Sequence, residues 1–73
     1  MARLNAIFAT NLRLLRSERG LSQEELAHLA GRSRNYVSAL ENERHSPTLD
    51  LVETIAEALE VSPIMLLQRR KRD

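Results

Sequence analysis

Gln23-Glu24-Glu25-Leu26-Ala27-His28-Leu29-Ala30-Gly31-Arg32-Ser33-Arg34-Asn35-Tyr36-Val37-Ser38-Ala39-Leu40-Glu41-Asn42 reads as two short helices joined by a tight turn. Ser22-Gln23-Glu24-Glu25 is a capping box: the Ser22 hydroxyl can accept from the Glu25 amide while the Glu25 carboxylate reaches back. Leu26, Leu29 and Ala30 are expected to face inward, and Gly31 closes the helix where the backbone must turn left-handed. Ser33 is a good N-cap for the next helix, whose buried edge is Val37 and Leu40. Two helices linked this closely must cross steeply, which explains the small Ala27 in mid-helix. Ala, Gly, Val and Leu at the fifth, ninth, fifteenth and eighteenth residues from Gln23 form one joint signal.

Outward from this core the pattern stays helical. Leu4, Phe8, Leu12 and Leu15 recur at spacings of four and three, predicting a first helix from about Leu4 to Arg19 that Gly20 ends. After the loop His45-Ser46-Pro47, Thr48 caps a fourth helix with Leu51, Val52, Ile55, Ala56 and Leu59 on its core face. Ser62-Pro63 starts a fifth, with Pro63 at the first helical position. No segment alternates like a strand and no repeat is present. The expected fold is all-α, five short helices in one domain over residues 1–73, with a basic tail at 69–73.

A domain of 73 residues buries only roughly 60% of its unfolded surface and gains from a partner subunit. Without Cys it has neither a disulfide nor a thiolate metal site, as expected of a cytoplasmic protein. No apolar run approaches the roughly 18 residues of a membrane span, and no signal peptide is evident. The net charge is only +1, but its distribution is uneven. Residues 1–46 are basic, residues 47–68 hold Asp50, Glu53, Glu57 and Glu60 and no base, and Arg69-Arg70-Lys71-Arg72-Asp73 is basic again. Two faces with different partners are implied. Tyr36 and Phe8 are the only aromatic residues, which weighs against modules that stack single-stranded bases. His28 and His45 are isolated surface residues without a third ligand at metal spacing, so no metal or cofactor is expected. No nucleophile–base arrangement, phosphate loop or paired carboxylate stands out, and no small-molecule ligand is evident, so the chain is not expected to be an enzyme.

Ser22-Gln23-Glu24-Glu25-Leu26-Ala27, Leu40-Glu41-Asn42 and Ile55-Ala56-Glu57-Ala58-Leu59-Glu60-Val61-Ser62 resemble the phage-repressor and Cro-like helix-turn-helix family, over roughly residues 7–67. Within it, the short length and Arg34-Asn35-Tyr36-Val37-Ser38 are similar to the controller proteins of restriction–modification systems. The resemblance implies a lambda-repressor-like five-helix domain that binds double-stranded DNA as a transcription regulator. It maps base reading in the major groove onto Ser33, Arg34 and Asn35. Gln23, Asn42 and Arg44 fall on DNA-backbone positions, and Arg32, Tyr36 and Ser38 join them as backbone candidates. Ala39 falls where the family often reads a base, although a methyl offers contact only to thymine. The resemblance also implies an ion pair between Arg16 and Glu41.

One observation supports this assignment without the resemblance. Helix N-termini favour anions, yet Arg32 and Arg34 bracket the start of the third helix. For folding alone each costs a few tenths to about 1 kcal/mol, so the placement suits an end that meets a polyanion. The competing readings are plainer: Arg32 and Arg34 as solvated charges, Tyr36 as a partly buried core ring, Ser38 as an exposed polar residue, the tail as a solvated end. Two functional classes stay open, a sequence-specific DNA-binding regulator and a protein-interaction module on the same scaffold, such as an antitoxin. Finally, Ile64-Met65-Leu66-Leu67 spreads four apolar side chains over roughly 300° of a helix, more than one core can cover. With Leu66 at a core position of the family, Ile64 and Leu67, with Met65 beside them, are expected to form a homodimer interface. The alternative is a monomer in which they pack under a loop.

Overall fold

A computed structural model describes residues 3–70. It contains five helices, α1 (Arg3–Glu18), α2 (Gln23–Ala30), α3 (Arg34–Glu41), α4 (Leu49–Leu59) and α5 (Ile64–Leu67), and no strand among the described residues. The starts of α2, α3 and α4 are each set by a local hydrogen bond. The Glu25 N–H donates to Ser22 Oγ at 3.0 Å and the Ser22 N–H to the Glu25 carboxylate at 2.8 Å, closing the capping box. Ser33 Oγ accepts from the Tyr36 N–H at 3.1 Å, and Thr48 Oγ1 from the Leu51 N–H at 3.0 Å. Pro63, expected at the first helical position, stands just ahead of α5 with φ −55° and ψ −30°.

The first four helices end in one way. A residue with φ between 60° and 70° follows each: Gly20, Gly31, Glu43 and Glu60. The next N–H then reaches back five residues, from Leu21 to Arg16 O (3.1 Å), Arg32 to Ala27 O (2.8 Å), Arg44 to Ala39 O (2.8 Å) and Val61 to Ala56 O (3.0 Å). These bonds satisfy carbonyls left over at the helix end and reverse the chain sharply. Two of the four ends carry Glu where glycine is favoured.

The core gathers Phe8, Leu12 and Leu15 of α1, Leu26, Ala27 and Ala30 of α2, Val37 and Leu40 of α3, five residues of α4, and Leu66 of α5. Two sequence expectations need correction. Leu29 is 56% exposed, because the inward face of α2 centres on Leu26, Ala27 and Ala30, and at about 100° per residue Leu29 lies nearly a third of a turn away. Leu4 is also 56% exposed. It keeps the period of its stripe, but α1 is sixteen residues against eight in α2 and α3, and its first turn overhangs the core. Asn11 interrupts the same stripe and is buried. Its amide donates to Leu66 O at 2.9 Å and Gln68 O at 2.8 Å, tying the end of α5 to α1.

Candidate nucleic-acid interface

The site is built from the turn between α2 and α3. Ala27 is 2% exposed, small enough for α3 to press on it, and Gly31 lets the chain reverse within three residues. That reversal leaves Arg32, Ser33, Arg34 and Asn35 exposed at the start of α3, whose first turn contains no acidic residue. The unpaired N–H groups and positive pole of that helix end are therefore bracketed by guanidinium groups.

Behind it lies a network that ties three elements together. Glu41, at the end of α3, is 3% exposed. Its carboxylate accepts from Arg16 Nε at 2.6 Å, Arg16 Nη2 at 3.1 Å and Gln23 Nε2 at 3.0 Å. Arg16 Nη1 donates to Leu21 O at 2.9 Å, so the same guanidinium also holds the loop ahead of α2. Arg16 and Glu41 thus meet across 25 residues of chain in a bidentate pair. The half-buried Gln23 adds a third partner that sequence reading missed. One Gln23 N–H is committed to Glu41, which leaves the other to donate outward.

Other candidate residues are placed less openly. The Asn42 amide folds back on α3, donating to Ser38 O at 2.9 Å and Ser38 Oγ at 3.3 Å. Ala39 is only 8% exposed, so its methyl packs inside and offers no surface to a base. Tyr36 is half-buried, with the Arg32 guanidinium carbon 5.8 Å from its ring centroid and the His45 ring stacked on it at 5.4 Å. Arg44 is exposed beside His45.

At the other end of the chain, Ile64 is 61% and Met65 41% exposed, whereas Leu67 is half-buried against the core. Leu67 also lines a groove of about 530 Å³ with Leu4, Pro47 and Leu49. Arg70 of the basic tail pairs with Glu18 at 3.0 Å, while Lys71, Arg72 and Asp73 lie outside the described residues. Among the described residues no cluster of His, Cys, Asp or Glu could hold a metal, and no helix is long and apolar enough to cross a membrane.

Comparison with known proteins gives one consistent picture. A helix-turn-helix family model matches residues 12–66. A hypothetical transcription factor of Neisseria meningitidis is 47% identical over 64 residues, covering 88% of this chain, and the match spans 60% of the relative's own length. The control protein C.SmaI of Serratia marcescens is 36% identical over 67 residues, covering 92% of this chain and 80% of the relative. Among solved structures, the Neisseria transcription factor superposes with a TM-score of 0.87 at 45% identity, over 90% of this chain and 76% of that one. The restriction–modification controller protein C.AhdI of Aeromonas hydrophila gives 0.82 at 39% identity, over 85% and 90%.

Proposed function

The chain belongs to the helix-turn-helix family of phage-repressor and Cro-like transcription regulators, a family of DNA-binding proteins rather than enzymes, and from that premise we propose how it reads DNA. Residues 1–73 act as one domain in the cytoplasm and bind duplex DNA as a homodimer on a twofold-related operator. The N-terminal end of α3 enters the major groove, where Ser33, Arg34 and Asn35 meet base edges; the Arg34 guanidinium suits guanine O6 and N7. Gln23 donates its free N–H to a phosphate, with Arg32, Tyr36, Ser38, Asn42 and Arg44 along the backbone. Asn42 can donate there only by releasing Ser38. The observation that carries this reading is the exposed, acid-free start of α3 between Arg32 and Arg34.

The apolar surface that the fold leaves open supports a site for a second copy. Ile64 and Met65 are exposed on the same short helix as Leu67, which lines the groove with Leu4, Pro47 and Leu49, and a twofold axis through this surface would set two α3 helices about 34 Å apart, one DNA turn. The overhanging Leu4 then belongs to the interface rather than to the core.

Selection of bound sites from random duplex DNA tests both parts, with a twofold-repeated sequence as the expected result. Affinity falls with salt at a log–log slope of about −0.9 per phosphate contact. A flat salt response, or recovery of one abundant protein partner with no DNA affinity above background, favours the interaction-module reading instead. Sedimentation velocity on the wild type and Ile64→Glu tests the dimer. A monomeric wild type at tens of micromolar, or a variant that dimerises as well, removes this interface.

A further inference from the structure

The outer face of α1 carries a second stripe that the core does not use. Arg3, Ile7, Thr10 and Leu14 follow one another at spacings of four, three and four, roughly 100° round the helix from the buried line of Phe8, Leu12 and Leu15. Ile7 is half-buried and Leu14 is 42% exposed, and neither belongs to the core cluster. The buried Asn11 sits between them, four residues after Ile7 and three before Leu14. Its amide holds Leu66 O and Gln68 O, so the chain leaving α5 is laid alongside the stripe, and Arg70 then reaches Glu18 at 3.0 Å. Helix and chain together form a groove of about 570 Å³, with Ala6, Ile7 and Leu14 as its apolar part and Arg3, Arg69 and Arg70 as its charged part.

The charge of this groove is of one sign. No carboxylate lines it, and of its three guanidinium groups only that of Arg70 is in an ion pair among the described residues. The groove beside α2, lined by Leu21, Glu24, Glu25, His28 and Leu29, is its opposite, apolar with carboxylates. Apolar surface walled by free guanidinium groups matches a molecule with an apolar body and an anionic head, and the volume falls in the range of roughly 300–1,000 Å³ typical of small-molecule sites. A concave groove between a helix and the chain beside it encloses one such molecule, whereas a bilayer requires a projecting apolar face.

We propose that this groove binds a free amphipathic organic acid, with its carboxylate held by the guanidinium groups and its chain lying along Ala6, Ile7 and Leu14. The bound acid bridges α1 and the chain that follows α5, adding to the tie that Asn11 already makes, and so it stabilises the fold. None of the residues assigned to DNA takes part, so this site stands or falls separately from DNA binding.

The test is amide chemical-shift mapping of the intact, isotopically labelled chain titrated with decanoate. Decanoate is expected to move the amides of Ile7, Leu14 and Arg69 with a Kd of about 1 mM, the scale for a ligand of its size, while those of Glu24 and Leu29 in the acidic groove stay in place. Octanoate binds roughly four- to fifteenfold more weakly, according to how much of the two missing methylenes the groove covers. Arg69→Gln weakens decanoate by up to about fivefold, as loss of an exposed ion pair does. Leu14→Gln, at a position exposed enough to spare the fold, weakens it about tenfold. Decyltrimethylammonium, the same chain with the opposite charge, leaves the groove amides unmoved. The wild-type Tm rises with decanoate and that of Leu14→Gln does not. Shifts that are absent at about ten times the expected Kd, that persist undiminished in Leu14→Gln, or that the cation reproduces overturn the site. Binding to phosphatidylglycerol vesicles without any response to decanoate overturns it in favour of a membrane contact.

Discussion

The helices α2 and α3 are the same length, both begin behind a serine, and both end in a left-handed residue, yet they are finished differently. At α2 every local choice favours folding: a complete capping box, Glu24 and Glu25 against the positive pole, and Gly31 at the left-handed position. At α3 the cap is a single Ser33 bond, the first turn holds Arg34 and no acid, and the left-handed position is Glu43. A helix that forgoes local stabilisation at both ends needs support from elsewhere. Glu41 provides it, anchoring the far end of α3 to Arg16 of α1 and Gln23 of α2. The contrast separates a helix shaped to fold from one shaped to meet an anion and held in place by its neighbours.

The largest expected effect tests that support. Arg16→Met leaves the Glu41 carboxylate buried without its main partner and is expected to cost about 3–5 kcal/mol in urea unfolding. Adding Glu41→Leu removes the stranded charge, so the double variant is expected to be more stable than Arg16→Met alone. Equal losses that simply add would show that α3 does not depend on this tie.

Next comes the exposed end of α3. Arg34→Ala is expected to weaken binding to the selected site by about 1–3 kcal/mol and to relax one base position. Gln23→Ala is expected to weaken all sites alike and to lower stability as well, since its amide also serves Glu41. An unchanged selected sequence for Arg34→Ala would reverse the roles assigned to the two helix starts.

The helix ends offer a matched pair of smaller changes. A Cβ at Gly31 meets nothing within 4 Å, so Gly31→Ala tests backbone conformation alone and is expected to lose about 1 kcal/mol. Glu43→Gly relieves the opposite situation and is expected to gain roughly 0.5–1 kcal/mol, a rise in Tm of a few degrees. A loss at Glu43→Gly would mean that the carboxylate stabilises the turn in a way its backbone does not reveal.

Smallest of all is the electrostatic difference between the two starts. Arg34→Glu is expected to stabilise the fold by a few tenths to about 1 kcal/mol while abolishing specific DNA binding, and Glu24→Arg to destabilise it by a similar amount without abolishing binding. Thermal unfolding at low ionic strength, paired with anisotropy, reads both. Parallel changes in stability and affinity would erase the distinction between the helices.

Features set within a few residues were legible in the sequence. Ser22, Ser33 and Thr48 cap because a hydroxyl reaches an amide three positions on, and this needs no tertiary contact. The exposed arginines around Ser33 were visible for the same reason. A carboxylate at the C-terminal end of α3 opposes the helix dipole and so signals a partner for Glu41, but Arg16 as that partner came through family resemblance, since nothing local links residues 25 apart. Asn11 gave a signal that went unread, a polar residue on an otherwise apolar stripe, and the partner it implied was the end of α5.

The sequence by itself determined that the chain is helical, where α2, α3 and α4 begin, that Gly20 and Gly31 end two helices, and that one helix start is basic against its own dipole. Tertiary structure decided the rest. Leu4 and Leu29 satisfy the helical period yet lie exposed, because burial depends on whether another element reaches them. Glu43 and Glu60 take a left-handed backbone that their side chains disfavour, held by the returning N–H bonds of Arg44 and Val61 between packed helices. The same turn at Glu43 lays His45 on Tyr36. Local bonds are written in the spacing of residues, whereas what a chain covers, strains or brings together is settled only when all the helices pack at once.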